Sequence, residues 1–345
     1  MLAERGAVPV VVGLRDTDSE TDAWRLDGLE TRLVDPVGPK ALAYAPGLVD
    51  VLRNAELDLL HLHGIWQYPS HAADAWAKAT GKPLVVSPHG MLDPWITSRN
   101  AWKKHLARSA WEKRSWNAAS VFHALTKSEA QDIAQETRAE RIEIVPNPAP
   151  PPGPVGVLPR SAAVLYIGRI HAKKNLANLI SAWIKARPSL PADATLTIAG
   201  WGDDAGIAAL EQAVGHRADD DIEFVGTAFG SQKAALFDVT RFVILPSVSE
   251  GLPMAILEAW SAGVPTIMTS HCHLPEGFAQ GAALECGTDV ASIRDALIEA
   301  LAMPDMRWQE MAAAARGLSA GPFAPVTVGR RWEEIYRSLL GAKAG

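Results

Sequence analysis

Short runs of aliphatic and β-branched residues alternate along the chain with stretches in which apolar positions recur every three or four residues. A continuous apolar run reads as a strand buried on both faces, and the longer spacing reads as a helix lying over it. The alternation predicts parallel sheets covered by helices, and it occurs twice. In the first half strands are expected at 9–14, 31–34, 58–62, 83–87, 120–123 and 142–145. In the second they are expected at 163–167, 195–199, 222–225, 242–245, 265–268 and 283–285. Between the halves lies Pro146-Asn147-Pro148-Ala149-Pro150-Pro151-Pro152-Gly153-Pro154, where proline removes amide donors and fixes φ, so neither helix nor strand continues. This gives an N-terminal domain at 1–150 and a C-terminal domain at 151–325. Val328, Trp332, Ile335 and Leu339 predict an amphipathic helix in the tail, packing back on the first domain. No internal repeat is visible.

A length of 345 residues suits two domains, and 48% hydrophobic against 21% charged residues with a mean hydropathy of +0.02 excludes a disordered chain. The net charge of −6 argues against a broad nucleic-acid surface. Two cysteines, Cys272 and Cys286, cannot build a disulfide framework, and Met1 is not followed by the pattern of a signal peptide, so a cytoplasmic setting is expected. The longest apolar runs fall far short of the ~20 residues that cross a bilayer.

In open α/β sheets ligands bind beyond the carboxyl ends of the strands. After 242–245 comes Pro246-Ser247-Val248-Ser249-Glu250-Gly251-Leu252-Pro253, and a helix is expected from Leu252 or Pro253. Its free amides suit an anion, Gly251 admits a ligand close to the backbone, and Glu250 and Glu258 flank the site, one for sugar and one for ribose hydroxyls. The same spacing also fits a surface helix with two solvated glutamates. The strand at 163–167 runs into Gly168-Arg169-Ile170-His171-Ala172-Lys173-Lys174, whose cations suit a pyrophosphate. The strand at 195–199 ends in Gly200-Trp201-Gly202, which lets a base or ribose approach.

Taken in order, these segments resemble the C-terminal domain of family 4 of the retaining glycosyltransferases, of the GT-B fold. The likeness extends to His61-Leu62-His63-Gly64-Ile65-Trp66 and Ser87-Pro88-His89-Gly90-Met91-Leu92-Asp93, which look like members that build bacterial exopolysaccharide or lipopolysaccharide. The resemblance implies two Rossmann-like domains facing across a cleft. It implies a nucleoside diphosphate sugar as donor, a glycan or lipid-linked glycan as acceptor, and no cofactor or metal. Arg169 and Lys174 would bind the diphosphate, Glu250 the donor sugar, Gly251 and Leu252 the distal phosphate through their amides, and Glu258 the ribose. Gly168, Gly200 and Gly202 would keep the donor site open, and His89 would reach the transferred sugar. His61 and His63 match no family role and read as structural. A sugar-nucleotide epimerase and a non-catalytic sugar-nucleotide binder remain alternatives.

Three further segments bear on chemistry. Asp16-Thr17-Asp18 reads as a solvated loop, and His271-Cys272-His273 lacks a fourth ligand at zinc-like spacing. Between Arg99 and Trp116 six cations stand against one acid, Glu112, in a chain of net charge −6. A regular helical wheel places Trp102, Leu106, Ser109 and Trp116 on one side and Lys104, Arg108 and Trp111 opposite, which suits an anionic membrane surface or a core helix with a solvated basic face. Residues 1–7 read as the end of a helix stopped at Gly6. By the resemblance, the first strand and a glycine-rich loop precede this point, so the N-terminal sheet is expected to lack its first strand between 9–14 and 58–62. The sheet then holds either a gap or a pairing of strands that do not normally touch, and the chain either starts too late or is a remnant with impaired acceptor binding.

Overall fold

The computed structural model describes residues 2–21, 23–99, 101–152, 161–215 and 221–341. The chain divides into two compact units, Met1–Pro146 with Gly329–Gly345, and Asn147–Val328. The boundary falls in the proline-rich segment, of which Gly153 and Pro154 lie outside the described residues.

In chain order the first unit holds β1 (Val10–Leu14), β2 (Glu30–Val34), α1 (Leu48–Arg53), β3 (Leu60–His63), α2 (Tyr68–Thr80) and β4 (Leu84–Ser87). It continues with α3 (Pro94–Thr97), α4 (Ala101–Ala107), α5 (Lys113–Ala118), β5 (Val121–Ala124), α6 (Lys127–Glu136) and β6 (Ile142–Ile144). All strand pairs are parallel, in two separate sheets, β1-β2 and β3-β4-β5-β6. Of the two arrangements expected for the N-terminal sheet, the gap is the one observed: β1 and β3 do not pair. Val12, Leu14 and Val34 nevertheless pack on the core built from Leu62, Trp76, Leu84, Val86 and Phe122, so apolar contact continues where backbone pairing stops. Gly6 is in the left-handed region at φ 85° and its N–H donates to Ala3 O, ending a single 3-10 turn.

The second unit begins with β7 (Ala163–Ile167), α7 (Leu176–Ala186), β8 (Thr195–Ala199), α8 (Asp204–Gly215), β9 (Ile222–Phe224), α9 (Gly230–Val239) and β10 (Phe242–Leu245). It goes on through α10 (Met254–Ser261), β11 (Thr266–Met268), α11 (Pro275–Ala279), β12 (Ala283–Glu285), α12 (Val290–Leu301) and α13 (Asp305–Ala320). Its single parallel sheet has the order β12-β11-β10-β7-β8-β9. Every residue of β7 and β10 is buried, as a central parallel strand covered on both faces requires. In α7 Leu176, Leu179, Ile180, Trp183 and Ala186 are buried at the three-to-four spacing read from the sequence. The last helix, α14 (Pro325–Leu339), buries Val328, Trp332 and Ile335, and from Gly329 onward it belongs to the first unit.

The basic segment departs from a regular helix. Between α4 and α5 the backbone makes a π-turn over Arg108–Glu112, which takes more than four residues per turn and shifts the phase of everything after it. Trp116 therefore turns into the core at 7% exposure, while Trp102 and Leu106 stay 64% and 58% exposed. The wheel that put these three side chains on one side fails at this turn. The turn also buries Glu112, whose Oε1 accepts the Trp66 N–H at 2.5 Å and the Trp111 Nε1–H at 3.1 Å, and burial pushes its carboxyl up to about 7. Among the described residues no helix is long and apolar enough to cross a membrane.

Candidate active site

In the second unit the turns after β7, β8, β9 and β10 gather at the carboxyl edge of one sheet. Gly168 N–H donates to Ala199 O at 3.0 Å, Gly200 N–H to Gly226 O at 2.8 Å, and Ile170 N–H to Trp201 O at 2.6 Å. Gly202 forms a parallel bridge with Ile170. A Cβ at Gly200 would stand 1.8 Å from Gly168 O, and one at Gly202 would stand 2.7 Å from Ile170 O. The approach of neighbouring backbones demands glycine at both positions. At Gly251, by contrast, a Cβ would meet nothing within 4 Å, so space stands open beside that residue. The helix after it, α10, starts at Met254 with Pro253 as its N-cap, one residue beyond the expected start.

The cations and acids meet here in pairs. Lys174 Nζ donates to Glu250 Oε1 at 2.5 Å, with both side chains largely buried. Lys173, one residue earlier, instead donates from Nζ to Ser249 Oγ at 3.2 Å. Asn175, at φ 61°, ends the short 3-10 turn that carries both lysines and donates from Nδ2 to Pro246 O and Thr288 O, which fastens that turn to the loop holding Glu250. The guanidinium of Arg169 is exposed, while its carbonyl accepts the buried Tyr166 hydroxyl at 2.9 Å. Burial, and then the neighbouring Glu250, hold the Tyr166 phenol well above its ordinary range. Glu258 accepts from Lys233 Nζ at 2.8 Å, a partner that sequence reasoning misses because α9 carries no motif. Cys272, beside this site, is fully buried, and burial raises its thiol.

In the first unit four histidines collect at the carboxyl ends of β3, β4 and β5. His123 Nε2 faces Val145 O at 2.7 Å, a pure acceptor, so that nitrogen carries the proton. Its Nδ1 then accepts from Ser87 Oγ at 2.6 Å, Ser87 accepts from His61 Nε2 at 2.6 Å, and His61 Nδ1 accepts from the Tyr336 hydroxyl at 2.6 Å. Each donor finds an acceptor only if both rings are neutral. Burial, reinforced by the neighbouring histidines, lowers His61 to about 2, and burial leads the fall of His123 to about 4. Trp332 stacks near both rings, at 4.9 and 4.7 Å between centroids. These bonds tie His61 to β4 through Ser87 and to α14 through Tyr336.

His63 Nδ1 lies 2.9 Å from His89 Nε2, so one of these nitrogens donates and the other accepts, and the two ring planes are within 8° of parallel with centroids 5.1 Å apart. His89 sits in the left-handed region at φ 53°, which few residues other than glycine adopt. Glu129 holds that turn: its carboxylate accepts Gly90 N–H at 2.5 Å and Leu125 N–H at 2.8 Å. Thr126 Oγ1 caps α6 by accepting the Glu129 N–H at 3.2 Å, while the Glu129 carboxylate is taken up by these two amides.

Asp16 Oδ1 accepts from Asp18 N and Ser19 Oγ in a local exposed turn. Among the described residues no three His, Cys, Asp or Glu side chains converge so as to hold a metal ion.

Two family profiles match the chain, "Glycosyl transferase 4-like domain" over residues 1–148 and "Glycosyl transferases group 1" over residues 161–303. The chain belongs to family 4 of the glycosyltransferases. Similar proteins include a GDP-mannose:cellobiosyl-diphosphopolyprenol alpha-mannosyltransferase of Xanthomonas oryzae, 27% identical over 70% of this chain and 63% of the relative. A glycogen synthase of Mycobacterium tuberculosis is 28% identical over 84% and 70% of the two chains. The chain therefore spans less than two thirds of the first relative's length. In structure, Anabaena Alr3699/HepE in complex with UDP and glucose superposes with a TM-score of 0.78 at 16% identity, covering 98% of this chain and 94% of that one. A sucrose-phosphate synthase of Thermosynechococcus elongatus gives 0.69 at 15% identity, covering 96% and 100%. These likenesses establish the GT-B fold, two Rossmann-like domains, for this chain.

Proposed function

We propose that the chain is a retaining glycosyltransferase that moves a sugar from a nucleoside diphosphate to a glycan or lipid-linked glycan in cell-surface polysaccharide synthesis. The observation that carries the reading is the Lys174–Glu250 pair, set beside the exposed Arg169 and the open space at Gly251 on the carboxyl edge of the second unit's sheet. Relatives named as a diphosphopolyprenol mannosyltransferase and an O-antigen chain mannosyltransferase support the acceptor class.

In this reading Arg169 and Lys174 hold the diphosphate, the amides of Gly251 and Leu252 its distal phosphate, and Glu258 the ribose. As the anomeric carbon–oxygen bond breaks, the electron pair stays on the phosphate oxygen, and the fixed cations lower the barrier by stabilising that charge. The acceptor hydroxyl attacks the face the phosphate is leaving, and its proton passes to the departing phosphate oxygen. Glu250 orients the donor sugar, and the first unit contributes His89, held by His63 and Glu129. The 99–116 segment rests on an anionic membrane surface.

One observation favours a second reading as a sugar-nucleotide binder that does not transfer: β1 and β3 are unpaired, so the part of the first unit assigned to the acceptor is divided. Incubation with GDP-, UDP- and ADP-sugars separates the two. Thermal protection together with slow release of nucleoside diphosphate supports transfer chemistry, protection with no release supports the binder, and the absence of both counts against a donor site.

A further inference from the structure

Asn175 stands at φ 61°, between the short 3-10 turn that carries Lys173 and Lys174 and the first turn of α7. Glycine is the ordinary occupant of such a backbone, and asparagine is one of the few side chains that tolerates it. Glycine would serve the backbone equally well, so the asparagine side chain has to be explained by what it binds. Its Nδ2 carries two N–H donors and both are used, on Pro246 O at 3.1 Å and on Thr288 O at 2.7 Å.

These bonds reach two segments distant in the chain, the loop from Pro246 to Glu250 and the turn before α12. On its other side Asn175 O accepts the Leu179 N–H at 3.1 Å, which ties it to a helix anchored by the buried Leu179, Ile180 and Trp183. The lysine turn and the Glu250 loop are joined further by Val248 N–H on Lys173 O at 2.9 Å, by Lys173 Nζ on Ser249 Oγ and by the Lys174–Glu250 pair. Of these ties, the Lys174–Glu250 pair is the one with which a donor phosphate competes. The tie from Asn175 to Pro246 is neutral and ends on a buried residue, so it persists when that pair opens.

We infer that Asn175 is a positioning residue for the proposed transfer: its side-chain amide keeps Lys174 in place after the ammonium has left Glu250 for the donor phosphate. The cation then meets the charge that develops on the leaving oxygen without any rearrangement of the turn, which is the condition under which a fixed charge lowers the barrier most. This rests on the reading of Lys174 as a phosphate cation. Asn178, in the first turn of α7, supplies the control, because its Nδ2 donates to Thr288 O at 3.0 Å and so fastens α7 to the turn before α12.

The test is steady-state turnover of the full chain, with whichever of the GDP-, UDP- and ADP-sugars releases nucleoside diphosphate fastest, together with calorimetric titration of that nucleoside diphosphate. Asn175→Gly keeps the backbone and removes both donors, Asn175→Asp keeps the shape of the side chain but offers only acceptors, and Asn178→Ala leaves Pro246 held. Both Asn175 variants are expected to lower kcat about tenfold or more, because a small displacement of a reacting group is costly in the transition state. The Kd of the nucleoside diphosphate is expected to stay near that of wild type, and Asn178→Ala is expected to keep the wild-type kcat. In a Lys174→Met chain, Asn175→Gly is expected to cost nothing further, since a residue that acts through Lys174 has nothing left to position. An unchanged kcat in both Asn175 variants, the same fold loss in the Lys174→Met background, or an equal loss in Asn178→Ala overturns the role of Asn175 while leaving the donor site standing. A wild-type chain that releases nucleoside diphosphate from none of the three donors, or a Lys174→Met chain with wild-type kcat, overturns the donor reading itself.

Discussion

Lys174 Nζ lies 2.5 Å from Glu250 Oε1, so the cation assigned to the donor phosphate is already matched by a carboxylate in the free protein. Phosphate binding has to compete with that pair. Glu250→Ala is therefore expected to leave nucleoside diphosphate affinity unchanged or tighter, because it frees the ammonium, while turnover falls through loss of sugar orientation. Arg169→Ala and Lys174→Met are expected to lower turnover by about 10²- to 10³-fold, the scale seen when one preorganised oxyanion donor is removed. Lys173→Met is expected to be milder, since that side chain reaches Ser249 and not Glu250. Activity is expected to survive EDTA. Equal losses at Lys173 and Lys174, or abolition by EDTA with rescue by manganese, would count against the assignment.

Glu258 is expected to act on the nucleotide before chemistry. Replacing it by Ala removes the acceptor assigned to the ribose hydroxyls, a charged hydrogen bond worth about 1.5–3 kcal/mol, so the Kd for a nucleoside diphosphate should rise by at least tenfold. Pyrophosphate, which has no ribose, should bind as before. Lys233→Met should produce a smaller loss in the same assay, because it leaves the carboxylate in place without the partner that orients it. A Glu258 variant that loses pyrophosphate as strongly as the nucleotide would show that the acid supports the whole site.

Stability is expected to fall on acidification through the histidine network. His61 and His123 titrate at about 2 and about 4 in the folded chain, against about 6.5 when unfolded. Below pH 6.5 the unfolded chain takes up protons that the folded chain refuses, so stability drops as pH falls toward 4, by about 1.4 kcal/mol per pH unit for the buried His123 ring. Above about pH 7 this source contributes no pH dependence. Urea midpoints at pH 7.5, 6 and 5 should decrease in that order, and a His123→Gln variant should show a flatter decline. A midpoint that rises toward pH 5 would refute the neutral network.

The strands and the donor-side residues were legible in the sequence because each depends on a local signal, an apolar run or a residue type just beyond it. β7, β8, β10 and β12 match their expected bounds, and the others shift by at most two residues at an end. The pairs that complete the site were not legible. Lys233 reaches Glu258 from another helix, His63 meets His89 only because β3 and β4 are neighbours, and the Glu129 carboxylate accepts the Gly90 amide 39 positions away in the chain. The failed helical wheel has a local cause, since periodicity assumes a constant turn and the π-turn at Arg108–Glu112 breaks it.

Two glycines in the second unit should respond oppositely to alanine. Gly200→Ala would drive a methyl group to 1.8 Å from Gly168 O, a backbone atom that cannot swing aside as a flexible side chain would. It is expected to cost several kcal/mol or to prevent folding. Gly251→Ala meets no atom within 4 Å and should keep the thermal midpoint of the wild type, yet the methyl group stands where the distal phosphate is assigned and should weaken diphosphate binding. A Gly251→Ala chain with normal nucleotide affinity and turnover would move the phosphate elsewhere.

The structure also decides which cations can test the membrane reading of the basic segment. Lys104 donates to the carbonyls of Ile96 and Arg99, where it closes the end of α3, and Arg108 is paired with Glu136 and lies over the Trp66 and Trp116 rings. Reversing either charge would damage the unit itself. Lys103, Lys113 and Arg114 are exposed, and Trp102 and Leu106 are exposed beside them on α4. Co-sedimentation with vesicles rich in anionic lipid is therefore expected to fall as salt rises, because exposed charges are screened over about 10 Å at 0.1 M. It should fall again when Lys103, Lys113 and Arg114 become Glu, with the thermal midpoint unchanged. Trp102→Ala should reduce binding without altering the salt dependence, since it removes apolar contact and no charge. Binding that is absent, or indifferent to both salt and charge reversal, would make this face a solvated surface, leaving the acceptor to be recognised without the bilayer.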